Sequence, residues 1–354
     1  MTVVAVAMAR EANGFGLLRL LLALAVVASH GASARTGLVT DEPLYASTGF
    51  TLGEHAVNGF FAISGYLVAM SADRRGPRDY VLARALRIVP GFLVATLLVT
   101  FVLGGALTRL PLGAYLADPA TWRFAWGTLT AFKTNASLPG VFEDNPLRIP
   151  LGTVWTLKYE LLCYAGLFAA TLLGLPRAGR AVLALPAALF LALLGAGLAW
   201  PDNPKGVETA LRLPFLFAAG AALYLRRDRA CLSLPLAAGL VAAAALAHGT
   251  AAYRPLLFLA EAYGILWLAL APRWPRWLDP RHDLSYGVYL YGWPVQQALQ
   301  ALRPDLAPGA ATALALALTL PIAAASWLLV ERPALALKAR AIRPRRLPPD
   351  PAPA

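Results

Sequence analysis

Apolar residues in this chain come in long unbroken runs, not in alternating or short periodic patterns. Runs rich in Leu, Ala and Val predict helical spans at about residues 14–33, 55–72, 88–107, 153–174, 181–199, 207–225, 232–248, 254–271, 284–302 and 309–330. About twenty apolar residues cross a bilayer as a helix, so the expected fold class is all-α: a polytopic integral membrane protein of about ten transmembrane helices. A shorter apolar stretch, Trp122–Phe132, is too short to cross and reads as interfacial or re-entrant. It lies in the longest loop, residues 108–150, and no internal repeat is evident. The expected division is an N-terminus at 1–13, a membrane domain at 14–333, and a basic, then Pro-rich, tail at 334–354 that is expected to be disordered.

Composition agrees, with 58% of the 354 residues hydrophobic and 14% charged. The net charge of +12 raises nucleic acid as a partner, but its distribution speaks for topology. With the N-terminus inside, twenty Lys and Arg fall in inner segments, among them Arg10, Arg74, Arg75, Arg78, Arg177, Arg180, Arg226, Arg229, Arg343 and Arg346. Eight fall in outer segments, such as Arg109, Lys133 and Lys205. This asymmetry predicts both termini in the cytoplasm and no nucleic-acid partner. Arg10, the run Leu17–Ala28 and the small residues Gly31-Ala32-Ser33-Ala34 imitate a cleavable secretory signal, yet Arg19 inside the run argues for a retained first span. Cys163 and Cys231 have neither metal-ligand spacing nor a disulfide framework, and no metal is expected.

Ionisable residues inside such runs are costly and rarely face lipid, so they mark candidate chemistry. Arg19 and His30 are eleven residues apart, which on a helix is roughly 20° past three full turns. They share one face, about 16 Å apart along the axis. A plainer reading, with Arg19 snorkelling to the interface and His30 ending the helix, stays open on spacing alone. Glu160, Arg212 and Glu261 fall at depths like that of His30, which points to one polar cavity opening outward. Arg84 and Arg87, three residues apart at the start of the third span, can converge on one anion.

Several motifs then occur in a fixed order. Arg19 and His30 precede Asn58-Gly59-Phe60-Phe61-Ala62-Ile63-Ser64-Gly65-Tyr66-Leu67, then Arg84-Ala85-Leu86-Arg87-Ile88-Val89-Pro90 and Val154-Trp155-Thr156-Leu157-Lys158-Tyr159-Glu160. Leu284-Ser285-Tyr286-Gly287-Val288-Tyr289-Leu290-Tyr291-Gly292-Trp293-Pro294 and Val330-Glu331-Arg332-Pro333 follow. Together, over about residues 15 to 335, they resemble the membrane acyltransferase-3 family of bacterial O-acyltransferases. The resemblance implies a ten-span enzyme of the bacterial inner membrane. Such an enzyme moves an acyl group, usually acetyl, from cytoplasmic coenzyme A to a hydroxyl of a saccharide or glycolipid at the outer face. It carries functional roles onto Arg19, His30, Arg84 and Arg87, and the tryptophan-to-glutamate motif onto Trp155 and Glu160.

Under this reading, Arg19, Arg84 and Arg87 pair with the phosphates of acetyl-CoA or another acyl-CoA. His30 acts as general base and Glu160 orients it. Asn58, Ser64, Tyr286, Trp155, Arg212 and Glu261 line the acceptor site. Gly59 and Gly65 serve either the site or ordinary helix packing. Two departures stand out: Gly292 where the family often has His, and Thr156 where Ser is common. An appended extracytoplasmic hydrolase-like domain, present in some relatives, is not expected after Pro333. The competing reading is a transporter or flippase whose substrate path these charges line.

Overall fold

A helix occupies each of the ten predicted positions in the computed structural model, which describes residues 2–8, 13–174, 182–200 and 204–341. We number them α1 (Phe15–Thr36), α2 (Leu52–Arg74), α3 (Pro77–Leu97), α4 (Thr156–Leu172), α5 (Ala184–Ala199), α6 (Lys205–Leu225), α7 (Leu234–Leu246), α8 (Tyr253–Leu270), α9 (Ser285–Leu302) and α10 (Pro308–Ser326). Among the described residues, five of these paths are long and apolar enough to cross a membrane: Phe15–Thr36, Pro77–Leu107, Lys205–Leu225, Tyr253–Leu270 and Pro308–Leu337. Large apolar side chains face outward along the bundle, with Leu246 87% and Leu329 76% exposed. A surface of that kind suits a lipid solvent and not water.

Several boundaries differ from those expected, each for a local reason. The second helix starts at Leu52 because Thr51 and Glu54 form a reciprocal capping box. The third starts at Pro77, about three turns earlier than expected, since proline suits the first helical position. Arg84 and Arg87 therefore lie within α3 and not at its start. A π-helical turn, Trp327–Glu331, carries α10 into the helix Arg332–Ala341, so the expected tail begins as helix. Residues 342–354 of that tail, like Arg10, Arg177 and Arg180, lie outside the described residues. Among the described residues the one sheet is two-stranded: β1 (Thr2–Val3) pairs antiparallel with β2 (Cys231–Leu232) and ties the residues near the N-terminus to the α6–α7 connection.

The helices α1 and α2 form the centre. Against α2 pack α6, α8 and α1, and against α1 pack α9 and α10. The α2–α6 crossing brings backbones together, since a Cβ at Gly65 would overlap the Phe217 carbonyl and one at Gly220 the Ala62 carbonyl. Gly65 thus serves helix packing, and Gly59 lies against the Leu22 side chain of α1. The long loop contributes the helix Pro119–Ala131, capped by Asp118, with Trp122 and Trp126 exposed as in an interfacial segment.

Candidate functional site

Two spaces open along α1, one near Arg19 and one near His30. The arginine cavity, about 290 Å³, gathers Arg19 of α1, Ser64 of α2, Arg84 and Arg87 of α3, Glu160 of α4, and Tyr286 and Tyr289 of α9. Asp283, just ahead of α9, organises it. Its carboxylate accepts from Arg19 Nη1 and Arg87 Nη2, both at 2.8 Å, and from the Ser285 hydroxyl at 2.6 Å. Burial pushes the Asp283 carboxyl up, but Arg19 and Arg87 outweigh it and hold it well below the usual carboxylate range. Arg87 also lies 3.9 Å from Glu331, a buried carboxylate that accepts from Ser326 Oγ.

Arg84 differs from its neighbours. Its guanidinium lies over the Tyr164 ring, 5.6 Å from the centroid, and its buried Nε has no hydrogen-bond partner among the described residues. A buried donor left unmatched costs roughly 1–3 kcal/mol, so this arginine has capacity to spare for an added anion. Glu160 accepts from the Tyr164 hydroxyl and, at 3.4 Å, from Ser64 Oγ. The Tyr286 hydroxyl donates to the Ile88 carbonyl and is thereby fixed.

The second space is a cleft of about 930 Å³ lined by His30, Glu42, Glu54, Lys133, Trp155, Lys158, Lys205 and Trp293, among others. Here α1 ends at Gly37, whose φ of 78° reverses the chain, and the 3₁₀ turn Val39–Asp41 brings Glu42 back onto α1. His30 Nδ1 meets Glu42 Oε1 at 2.9 Å, while Ser29 Oγ and Ser33 Oγ each donate to the same carboxylate at 2.5 Å. Glu42 is almost fully buried, at 2% side-chain exposure against 27% for His30. Burial pushes its carboxyl up, but the His30 hydrogen bond and charge, with the two serines, outweigh this and hold it below its ordinary value. With Nδ1–H donated to Glu42, Nε2 is left as the basic nitrogen of His30. The Trp293 ring stands edge-on to the imidazole at 5.5 Å.

A hydrogen-bonded partition separates the two spaces. The Tyr289 hydroxyl donates to the Thr153 carbonyl at 2.7 Å and takes the Thr156 hydroxyl at 2.5 Å. Thr153 lines the His30 cleft, whereas Thr156 and Tyr289 line the arginine cavity. Helix α4 thus serves both sides: Thr156, Glu160 and Tyr164 recur every fourth residue on one face, and Trp155, Lys158 and Tyr159 sit on another.

The structure brings together Arg19, Arg84, Arg87, Ser64 and Tyr286 in one space and His30 with Trp155 in the other. Glu160, expected beside His30, lies instead in the arginine cavity. Depth along a helix does not fix which way a side chain points, and the phase of α4 turns Glu160 toward Arg19. Arg212 and Glu261 line neither space, and neither does Asn58. Arg212, 1% exposed, pairs with Glu208 and Glu54 between the rings of Phe50 and Phe258. Glu261 accepts from His55 Nδ1 and, at 2.6 Å, from Asn58 Nδ2. The residues expected in one outward polar cavity are therefore divided: His30 lines one space, Glu160 the other, and Arg212 and Glu261 belong to ion clusters between α2, α6 and α8. Gly292 packs against Val27 so closely that a Cβ would overlap it, so α1 fills the space that a side chain there would need.

Glu42 and Asp283 escape the sequence reading because both lie in connections. Their sequence signals are weak: a carboxylate twelve residues after His30 and one two residues before Ser285. Nothing local marks either as the partner of a residue on another element.

Comparisons with known proteins bear on the chain as a whole. A family model described as "Acyltransferase domain", of the acyltransferase-3 family, matches residues 13–330. The chain is 26% identical over 339 residues to the O-acetyl transferase of Shigella phage Sf6, covering 91% of this chain and 96% of that protein. It is 36% identical over 151 residues to the exopolysaccharide production protein ExoZ of Rhizobium meliloti, covering 42% of each. No solved structure matches the chain. Membership sets acyl transfer above the transporter or flippase reading. The chain belongs to the acyltransferase-3 family and is an O-acyltransferase.

Proposed function

We propose that this enzyme moves an acyl group, acetyl by preference, from cytoplasmic acyl-CoA to a hydroxyl of a saccharide or glycolipid at the outer face of the bacterial inner membrane. In this reading all ten helices cross the bilayer and both termini are cytoplasmic, as the charge asymmetry favours. The arginine cavity faces inward and takes the donor. At about 290 Å³ it lies at the small end of ligand sites, which suits the narrow acyl-pantetheine arm. The nucleotide then stays at the mouth near exposed Arg74, Arg75 and Arg78. Arg84, with its unmatched Nε, is the residue best placed to add a phosphate contact, since Arg19 and Arg87 are already held by Asp283.

The His30 cleft faces outward and takes the acceptor, with Trp155 and Trp293 as apolar walls for sugar rings. The observation that carries the proposal is the His30–Glu42 pair opening into this cleft at the far end of the helix that bears Arg19. A sugar hydroxyl is a poor nucleophile near neutral pH. As its oxygen attacks the thioester carbonyl carbon, a C–O bond forms and the C–S bond breaks. His30 Nε2 takes the hydroxyl proton and returns it to the departing thiolate, while Glu42 stabilises the imidazolium. For the thioester to reach His30, the Tyr289 partition must open. Ser64 and Tyr286 line the donor cavity with Glu160, whereas Asn58, Arg212 and Glu261 hold the bundle.

Mass spectrometry of surface glycans and glycolipids from a strain lacking the gene tests this. The expected result is the loss of an acyl increment, restored by the wild-type gene and not by His30→Gln. Unchanged glycans and glycolipids would overturn the assignment.

A further inference from the structure

A third space, about 700 Å³, opens between α5, α6 and α8 and shares no lining residue with either part of the acyl-transfer site. On α6, Phe215, Ala219 and Ala222 recur at i, i+4 and i+7 and so share one face, and Arg226, which caps the helix, follows about 16 Å from Phe215. Alanine at 219, 222 and 262 ends each side chain at Cβ and leaves a groove. At one end the rings of Phe190 and Phe215, 6.1 Å apart, close it. At the other end α6 stops, and Arg226 and Arg229 form the rim.

The polar groups at this rim are unequally committed. The Tyr263 hydroxyl is already satisfied, accepting from Ser233 N at 2.8 Å and donating to the Cys231 carbonyl at 3.0 Å. Arg227, between the two rim arginines, pairs with Asp73 at 3.2 Å and lies over the Tyr224 ring. Neither Arg226 nor Arg229 pairs with a carboxylate among the described residues. The groove thus combines an apolar body with two cations at one mouth.

An apolar space of this size does not hold water well, and protein interiors do not stay so loosely filled. In a bilayer the material at hand is an acyl chain, and guanidinium groups favour phosphate. We propose that this groove binds one anionic phospholipid, its acyl chain along α6 and its phosphate on Arg226 and Arg229. A net negative headgroup is preferred because a zwitterionic lipid brings its own cation to the two arginines. The inference rests on the helices lying in a bilayer and is independent of acyl transfer.

Native mass spectrometry of the purified full chain in mild detergent tests it, with phosphatidylglycerol and phosphatidylcholine of matched chains as probes. The wild type is expected to retain one phosphatidylglycerol at several-fold lower lipid concentration than phosphatidylcholine. The double variant R226A/R229A should lose that preference, and R226K/R229K should keep most of it. Ala222→Trp, which fills the groove, should weaken retention of both lipids without moving the thermal unfolding midpoint. Wild-type preference for phosphatidylglycerol in R226A/R229A would overturn the proposal, and this arm decides alone if Ala222→Trp fails to fold.

Discussion

His30 Nδ1 and Glu42 Oε1 stand 2.9 Å apart, tying the last turns of α1 to the reversal that follows it. If this pair moves the acceptor proton, His30→Ala should leave coenzyme A binding intact while acyl transfer in proteoliposomes falls about 10²–10⁴-fold. His30→Gln keeps size but cannot take the proton, and should be nearly as inactive. Glu42→Gln should cost about 10²-fold or more, because Nε2 remains but the imidazolium loses its counter-charge. An active His30→Gln enzyme would remove proton transfer from the mechanism.

Acid should reveal the same pair. Glu42 titrates below its ordinary value of 4.5 in the folded protein, so its contribution is fully present above that value. It is lost as pH falls through the lower, folded value. The gap in thermal midpoint between wild type and Glu42→Gln should therefore be full above about pH 6 and shrink as the pH falls below 4.5. A gap that widens on acidification would contradict the sign of the shift.

If the arginine cavity takes the donor, its three arginines should behave differently. Arg84→Ala removes a cation with no carboxylate partner among the described residues, so donor affinity should fall about tenfold or more with little change in stability. Lysine should rescue only in part, as it lacks the planar fork. Arg87→Ala and Asp283→Asn break the bridge from α1 through Asp283 to α3, and each should lower stability by about 1.5–3 kcal/mol. Isothermal titration with coenzyme A and thermal unfolding separate the two effects. Equal loss of stability in Arg84→Ala and Arg87→Ala would argue against this division.

Orientation is open to chemical labelling. Asn135, exposed beside the His30 cleft, and Asp228, exposed beyond α6, should lie on opposite faces. A membrane-impermeant thiol reagent applied to sealed cells should modify a cysteine placed at Asn135 and not one at Asp228. Labelling at Asp228 would reverse the assignment of donor and acceptor sides.

Helix type, the course of the ten apolar helices and the placing of Arg19 and His30 on the first of them are legible in the sequence. Apolar run length and helical spacing are local properties, readable without knowing what packs where. The π-helical turn at Trp327–Glu331, the β1–β2 pairing and the early start of α3 were less legible, since neighbouring elements and single capping residues decide them. Tertiary structure alone decided which carboxylate serves which cation. Glu160 and Glu42 are both carboxylates near α1, but the phase of α4 turns one into the arginine cavity, where Asp283 holds Arg19, while the reversal at Gly37 delivers the other to His30. The depth read for Glu160 from the sequence, like that of His30, could not decide this, because a side chain's partner depends on the direction it faces as well as its height along the helix axis.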